Sequence, residues 1–180
     1  MASVVIAGNT SGSVTLDAPA VAGTTTLTLP ATSGTVLTSA STQVTGPAFR
    51  AYRSGNQTIS AATTTKVALN AETFDTNSNF DPTTNYRFTP TVAGYYQVNG
   101  VIGFTTGAGQ AAIFKNGATY STGLEVTYNA SLGGHIPIVD LVYLNGSTDY
   151  IELYVYLTTG TTISSGESNT AFSASMVRSA

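Results

Sequence analysis

Side chains that could act as a nucleophile, a base or an acid are few in this chain of 180 residues. The only histidine is His135, Asp140 follows soon after it, and serines are plentiful. A serine nucleophile needs a base beside it, and the Gly-x-Ser-x-Gly turn that presents such a serine in α/β-hydrolases does not occur here. We therefore predict no catalytic residue, and we expect His135 to lie in a loop or at a trimer axis.

The acidic residues also give little indication of glycosidase chemistry. A glycosidase places two carboxylates on either side of a cleft. The chain has nine Asp and Glu residues, and none of them forms a signature pair. Since neither kind of hydrolytic chemistry is indicated, we predict that the protein is not an enzyme.

Oxygen-bearing side chains alternate along one segment, at Asp75, Asn77, Asn79 and Asp81. This spacing is similar to the start of a calcium-binding loop. A phenylalanine replaces the glycine that such a loop needs, and a tyrosine stands where a bidentate glutamate would close the site. A structural calcium ion is therefore the one cofactor that the sequence suggests, with an ordinary polar loop as the alternative.

The composition predicts strands and turns. Charged residues make up 8% of the chain, against roughly 25% in a typical soluble domain. Thr, which favours strands, and Ser, Asn and Gly, which favour turns, supply most of the polar surface. The six Lys and Arg residues are scattered along the chain, so no basic patch for nucleic acid is expected.

Residues 1–46 differ from the rest of the chain because they contain no aromatic residue and a single charge, Asp17. Their apolar residues alternate in short runs, which predicts short strands. Strands with such small side chains cannot form a core alone. We expect an extended β arm that wraps around identical copies or lies on another protein, with these apolar contact residues: Val14, Leu16, Leu27 and Leu29.

Residues 47–180 contain all the aromatic residues and many strand-like runs. Asn116-Gly117 and Asn145-Gly146 are strong hairpin signals. Short strands separated by such turns indicate a sandwich or a barrel rather than an α/β fold. We therefore predict one all-β head domain over this range.

One predicted strand, 150–157, has two different faces. Its aliphatic residues alternate with a polar and aromatic set that includes Tyr150, Tyr154 and Tyr156. The aliphatic face should pack into the core. Because tyrosine is large, stiff and amphipathic, we predict that the tyrosine face is a trimer interface or an exposed recognition surface.

A central motif resembles a known family. Phe88, Gly94 and Tyr96, in the sequence Phe-Thr-Pro-Thr-Val-Ala-Gly-Tyr-Tyr, resemble the signature of complement-type globular heads, whose fold is the tumour-necrosis-factor-like jelly roll. The Lys-Asn-Gly turn that ends at Gly117 is similar to one in that family. The resemblance implies an all-β jelly-roll β-sandwich head, preceded here by the extended N-terminal β arm, in a homotrimer that binds a partner at its exposed apex.

The N-terminal segment 12–37 resembles segments of bacteriophage tail fibres and virion appendages. Combined with the head, it implies a trimeric phage virion structural protein. The first interpretation is a capsid decoration (cement) protein or head fibre that stabilises the shell and aids host adhesion. The alternatives are a short tail fibre or spike that binds the host receptor and, in another class, a bacterial secreted adhesin.

The expected partners follow from this interpretation. They are the chain itself, the major capsid protein or another virion protein through the arm, and a host surface glycan. No apolar stretch approaches the roughly 20 residues that span a bilayer, so we expect no membrane insertion. The N-terminus has no signal-peptide pattern, so we expect synthesis in the host cytoplasm and a final location on the virion surface.

Overall fold

Every regular element in the described part of the chain is a β-strand. The computed structural model describes residues 3–7, 9–17, 21, 23–24, 26, 46–128 and 133–180. Among these residues there is no helix that is long and apolar enough to cross a membrane. The chain divides into two compact units, residues 1–42 and 43–180. The boundary predicted after residue 46 stays a prediction.

The first unit contains an antiparallel hairpin of β1 (Ser3–Ala7) and β2 (Ser13–Asp17). Val4 pairs with Leu16 and Ile6 with Val14, so four aliphatic side chains share one face. All four are more than half exposed. An isolated two-stranded sheet is marginally stable at best in water, so this exposed apolar face is where contact with another surface would stabilise the hairpin. The predicted arm residues Leu27 and Leu29 lie outside the described residues.

The second unit contains fourteen described strands, numbered β3 to β16 in chain order. Their bounds are β3 Ala48–Tyr52, β4 Gln57–Thr58, β5 Thr65–Lys66, β6 Ala71–Asp75, β7 Phe80–Asp81, β8 Arg87–Phe88, β9 Ala93–Phe104, β10 Gly107–Lys115, β11 Ala118–Thr122, β12 Val126–Tyr128, β13 Gly134–Asn145, β14 Ile151–Leu157, β15 Thr162–Ile163 and β16 Ala171–Ser179.

These strands form two sheets of a jelly-roll β-sandwich, which confirms the predicted fold class. The first sheet has the order β4-β15-β9-β16-β3-β6, and β13 pairs along the whole of β9. The second has the order β11-β10-β14-β8-β7, with β12 on β10 and β5 on β14. We call them the β9 sheet and the β14 sheet.

The core lies between the two sheets. On β14 the aliphatic residues Ile151, Leu153, Val155 and Leu157 are fully buried, as the alternation predicts. Aromatic rings fill the space beside them, and Phe49 stacks on Phe88 with ring centroids 4.5 Å apart. Stacked and edge-to-face ring pairs stabilise a core beyond the area they bury.

The central sequence motif has a clear packing reason. Phe88 and Tyr96 are both fully buried, with ring centroids 5.7 Å apart in an edge-to-face pair. The Tyr96 hydroxyl donates a hydrogen bond of 2.6 Å to the Val92 carbonyl, and burial raises the pKa of Tyr96 to about 12. A β-carbon on Gly94 would lie 2.5 Å from the Arg178 carbonyl oxygen, so only glycine fits there.

The first predicted hairpin turn is confirmed. Asn116 and Gly117 both have positive φ, 54° and 79°, as expected for the turn that joins β10 to β11. Gly146, after β13, also has a positive φ of 72°. The Asn145 side-chain oxygen accepts hydrogen bonds from the backbone of the next residues, 147–149, so this turn is wider than a two-residue loop.

Candidate functional site

Four large, exposed apolar side chains lie together near one end of the outer face of the β9 sheet. Tyr95 on β9 lies opposite Tyr143 on β13, and their ring centroids are 5.4 Å apart. Leu141 is in the next outward position of β13, and Val177 lies in a bulge of β16 beside Tyr95. Their exposed fractions are 42% for Tyr95, 40% for Tyr143, 48% for Leu141 and 58% for Val177. We call these four residues the Tyr95 patch.

The alternation along β13 produces this patch. Its inward residues, among them Val142 and Leu144, are buried apart from the half-buried Asp140, whereas its outward residues are exposed. Outward positions in a one-sided sheet are usually polar, yet β13 has Val139, Leu141 and Tyr143 there. A strand that is apolar on both faces in a two-layer sandwich indicates that a further surface covers the outer face. The alternation of Val139, Leu141 and Tyr143 is the sequence signal that could have revealed this face.

Two cations lie beside the patch, Arg178 opposite Tyr95 on β16 and Lys115 near Tyr143. The Lys115 ammonium donates a 2.7 Å hydrogen bond to the Tyr143 carbonyl and lies 3.0 Å from the Asp149 carboxylate. Burial alone would raise the pKa of Asp149, but hydrogen bonds from Asn116 and Lys115 and the Lys115 charge lower it below its ordinary value. The lysine is therefore held by its own chain beside the Tyr143 ring, 5.7 Å from its centroid.

The predicted tyrosine face lies on the other sheet, and contacts within the chain partly cover it. Tyr154 stacks on Phe114 with centroids 3.8 Å apart. The Arg87 guanidinium lies 4.2 Å from the ring centroid of Tyr150. Tyr150, Tyr154 and Tyr156 are all half-buried. Their role as a trimer interface or recognition surface stays a prediction, and the Tyr95 patch is a second, more exposed candidate.

A buried ion pair lies on that same face. Glu152 is 3% exposed, and its carboxylate accepts a hydrogen bond from the Lys66 ammonium. Lys66 also donates to the Asn85 carbonyl and lies 5.8 Å from the Tyr154 ring centroid. Burial, followed by the Glu152 charge, raises the pKa of Tyr154. The face predicted from its tyrosines therefore contains a buried charge network that a one-dimensional pattern does not reveal.

The predicted calcium ligands Asp75 and Asn77 take part in turn hydrogen bonds. The two carboxylate oxygens of Asp75 accept from the backbone N–H of Asn77 at 3.2 Å and of Phe80 at 2.6 Å. The Asn77 side-chain oxygen accepts from the Thr76 hydroxyl at 2.8 Å. These oxygens therefore already have donors within the chain.

Asn79 and Asp81 have similar partners. The Asn79 side-chain oxygen accepts from the Thr91 backbone N–H at 3.2 Å. The Asp81 carboxylate accepts from the backbone N–H of Thr83 and Thr84, and these bonds hold its pKa well below the ordinary value. No group of three or more His, Asp or Glu side chains suited to a metal ion occurs among the described residues. Calcium binding stays a prediction.

His135 lies in β13 rather than in a loop. Its Nε2 is 3.2 Å from the Asn169 side-chain oxygen, beside a small pocket of about 220 Å³. Asp140 lies five steps along the extended strand from His135, which is a distance of about 17 Å. The structure therefore does not bring these two residues together as a base and its orienting acid.

Comparison with known proteins identifies the fold and no closer relationship. No protein-family model and no curated protein sequence matches the chain. Three of the similar solved structures are the globular domain of zebrafish complement 1qA, murine APRIL and a vertex protein of phage PRD1. Their sequence identities are 14%, 9% and 16%, with TM-scores of 0.60, 0.57 and 0.55.

The match extends over nearly the whole of each of these domains. It covers 75%, 73% and 74% of this chain and 99%, 98% and 98% of the three structures, in the same order. The resemblance read from the central motif is therefore confirmed at the level of fold. The chain contains a jelly-roll domain similar to complement and tumour-necrosis-factor-like globular domains, and similar also to a vertex protein of a phage.

Proposed function

We propose that this protein is a trimeric structural protein on the surface of a bacteriophage virion. Three heads associate through the Tyr95 patch, and the N-terminal arm attaches them to the particle. The role is structural and adhesive rather than catalytic, since His135 and Asp140 lie far apart on β13. Both the likeness to a phage vertex protein and the fibre-like arm sequence support a virion location.

The Tyr95 patch is the observation that carries this proposal. Burying a large apolar side chain contributes about 1.5–3 kcal/mol relative to full exposure. The four side chains are between 40% and 58% exposed, so covering them stabilises an assembly by several kcal/mol. None of the four patch residues is charged, but Arg178 lies opposite Tyr95 on β16, so an interface that covers the patch must leave this guanidinium in solvent or pair it. In a trimer three copies of the patch can converge on the threefold axis, whereas a contact of one patch with one identical patch gives a dimer.

The position on the particle has two candidates. A decoration protein or head fibre occupies many sites on the shell, whereas a spike or short tail fibre occupies few. The likeness to a vertex protein favours a small number of sites. Weak contacts of three linked heads with a host surface would gain strength from their high effective concentration.

Copy number in purified particles distinguishes these positions. The measurement is the amount of this chain relative to the major capsid protein, by quantitative mass spectrometry of particles washed in high salt. A ratio near one, or a sizeable fraction of it, means decoration. A ratio smaller by tens of fold means a vertex or tail appendage. Absence of the chain from washed particles would contradict the proposal.

A further inference from the structure

A groove of about 610 Å³ opens along β13, towards the end of the strand away from the Tyr95 patch. The register places it there, because Val139 pairs with Asn99 and Pro137 with Val101, beyond the row of Tyr95 and Tyr143. Its far wall is the end of β11 and the loop that follows it, residues 121–124. The volume lies in the range of small-molecule sites.

Polar side chains along this groove have unused hydrogen-bonding capacity. The Ser121 hydroxyl is buried and has no hydrogen-bond partner within the described chain. The side chains of Asn99 and Thr122 also have none among the described residues. Asp140 uses one carboxylate oxygen to accept from the Leu141 N–H at 2.7 Å, and its other oxygen is without a donor there. The Ser121 hydroxyl is too buried for a ligand in the groove to reach, so the polar groups open to a ligand are those of Asn99, Thr122 and Asp140.

The chemistry of these groups fits a molecule with several hydroxyls. A sugar hydroxyl donates and accepts at once, as do the hydroxyls and the amide that line the groove. Leu124, which is 85% exposed, and Val139 provide apolar contacts for the C–H face of a sugar ring. An anion would meet the Asp140 carboxylate without any Lys or Arg in the lining, and like charges repel. A divalent cation would find only one carboxylate, too few for a hard cation.

We propose that this groove is a binding site for a neutral saccharide. This inference deepens the adhesive part of the proposed function and rests on it. Each sugar contact is weak, and three grooves in one assembly provide the multivalency that a weak ligand needs. Asp140 and Asn99 are the polar contacts, and Leu124 and Val139 form the apolar wall.

The test measures amide chemical shifts of the full-length, isotope-labelled protein during titration. The neutral probes are maltotriose and triacetylchitotriose, and the anionic probe is sialyllactose. We expect a neutral probe to shift amides at residues 99–100, 121–124 and 137–140 in a saturable way. Asn99→Ala and Asp140→Asn should weaken binding by about tenfold or more, the equivalent of one lost hydrogen bond to a charged group. Asp140→Asn keeps an oxygen for the Leu141 N–H, so the strand is preserved.

Ser168→Ala, an exposed change outside the groove, is the matched control and should bind as the unaltered protein does. The inference is overturned if no neutral probe shifts groove amides, if only sialyllactose does, or if both groove variants bind normally. A protein that is trimeric and present on washed particles, yet fails this titration, loses the saccharide site alone. A monomer absent from particles loses the proposed function, whatever the titration gives.

Discussion

At the scale of single residues, the ion pair of Lys66 and Glu152 is the interaction in the described head whose loss should cost the most stability. Glu152 is almost completely buried, and a buried carboxylate without a partner is costly. Lys66 remains partly open to solvent, with a side-chain exposure of 32%, so water weakens part of the attraction. The pair lies next to Tyr154 and therefore holds in place the face on which the sequence analysis concentrated.

Replacing only the cation should expose this dependence. Lys66→Met leaves Glu152 buried and unpaired, and we expect the free energy of unfolding to fall by about 2–3 kcal/mol. Urea denaturation followed by circular dichroism measures it. The control is Arg50→Met, which breaks the more exposed pair with Glu167 and should cost less than about 1 kcal/mol. Equal losses of unfolding free energy in the two variants would show that the buried Lys66 pair stabilises the fold no more than the exposed Arg50 pair.

At the scale of elements, the position of each strand was more predictable from the sequence than the strands that pair with it in the sheet. Alternation places the aliphatic face of β14 in the core, and an Asn-Gly pair locates the turn after β10, because both signals are local. The pairing of β9 with both β13 and β16 joins segments far apart in sequence. Alternation says which side chains share a face, but it does not say which sheet that face covers. For this reason the Tyr95 patch was missed although its residues alternate clearly.

The hairpin of β1 and β2 offers a test at this scale. Deleting residues 1–46 should leave a head with unchanged thermal unfolding, since the two units are separately compact, but the shortened protein should no longer bind particles. Binding is measured by cosedimentation with particles that lack the protein. Leu16→Asp in the full chain should reproduce the loss, because it places a charge on the apolar face of the hairpin. Normal cosedimentation of the shortened protein would show that the arm is not the element that attaches the head to particles.

At the scale of the whole molecule, two sheets compete as the surface between copies. The β14 sheet offers Tyr154 and Tyr156, which are half-buried and engaged within the chain. The β9 sheet offers the Tyr95 patch, which is more exposed and has no charged residue among its four members, although Arg178 lies beside it. Both surfaces are aromatic, so composition alone does not separate them, whereas exposure and existing partners do.

Substitutions on the two sheets separate these surfaces. Leu141→Asp should convert trimers into monomers at micromolar concentration, because three carboxylates would be placed at the interface. The double variant Tyr154→Ala and Tyr156→Ala should remain trimeric. Light scattering after size-exclusion chromatography gives the mass of each species. The reverse pattern would assign the interface to the tyrosine face, and a monomeric unaltered protein would exclude both surfaces.

Lys115, which donates to the Tyr143 carbonyl, also limits the ways in which copies of the chain can add to one another. Among the described strands β13 pairs only with β9, so its other edge could accept a strand from another molecule. The Lys115 ammonium occupies the Tyr143 carbonyl on that edge, and the Asp140 carboxylate occupies the Leu141 N–H. Pro137 lies an even number of residues from Leu141 and Tyr143, so its backbone nitrogen faces the same free edge of β13. Because it is a proline, it has no N–H that could donate to an added strand. Copies can therefore meet face to face and close into a finite particle, but they are hindered from adding strand to strand into an open-ended fibril.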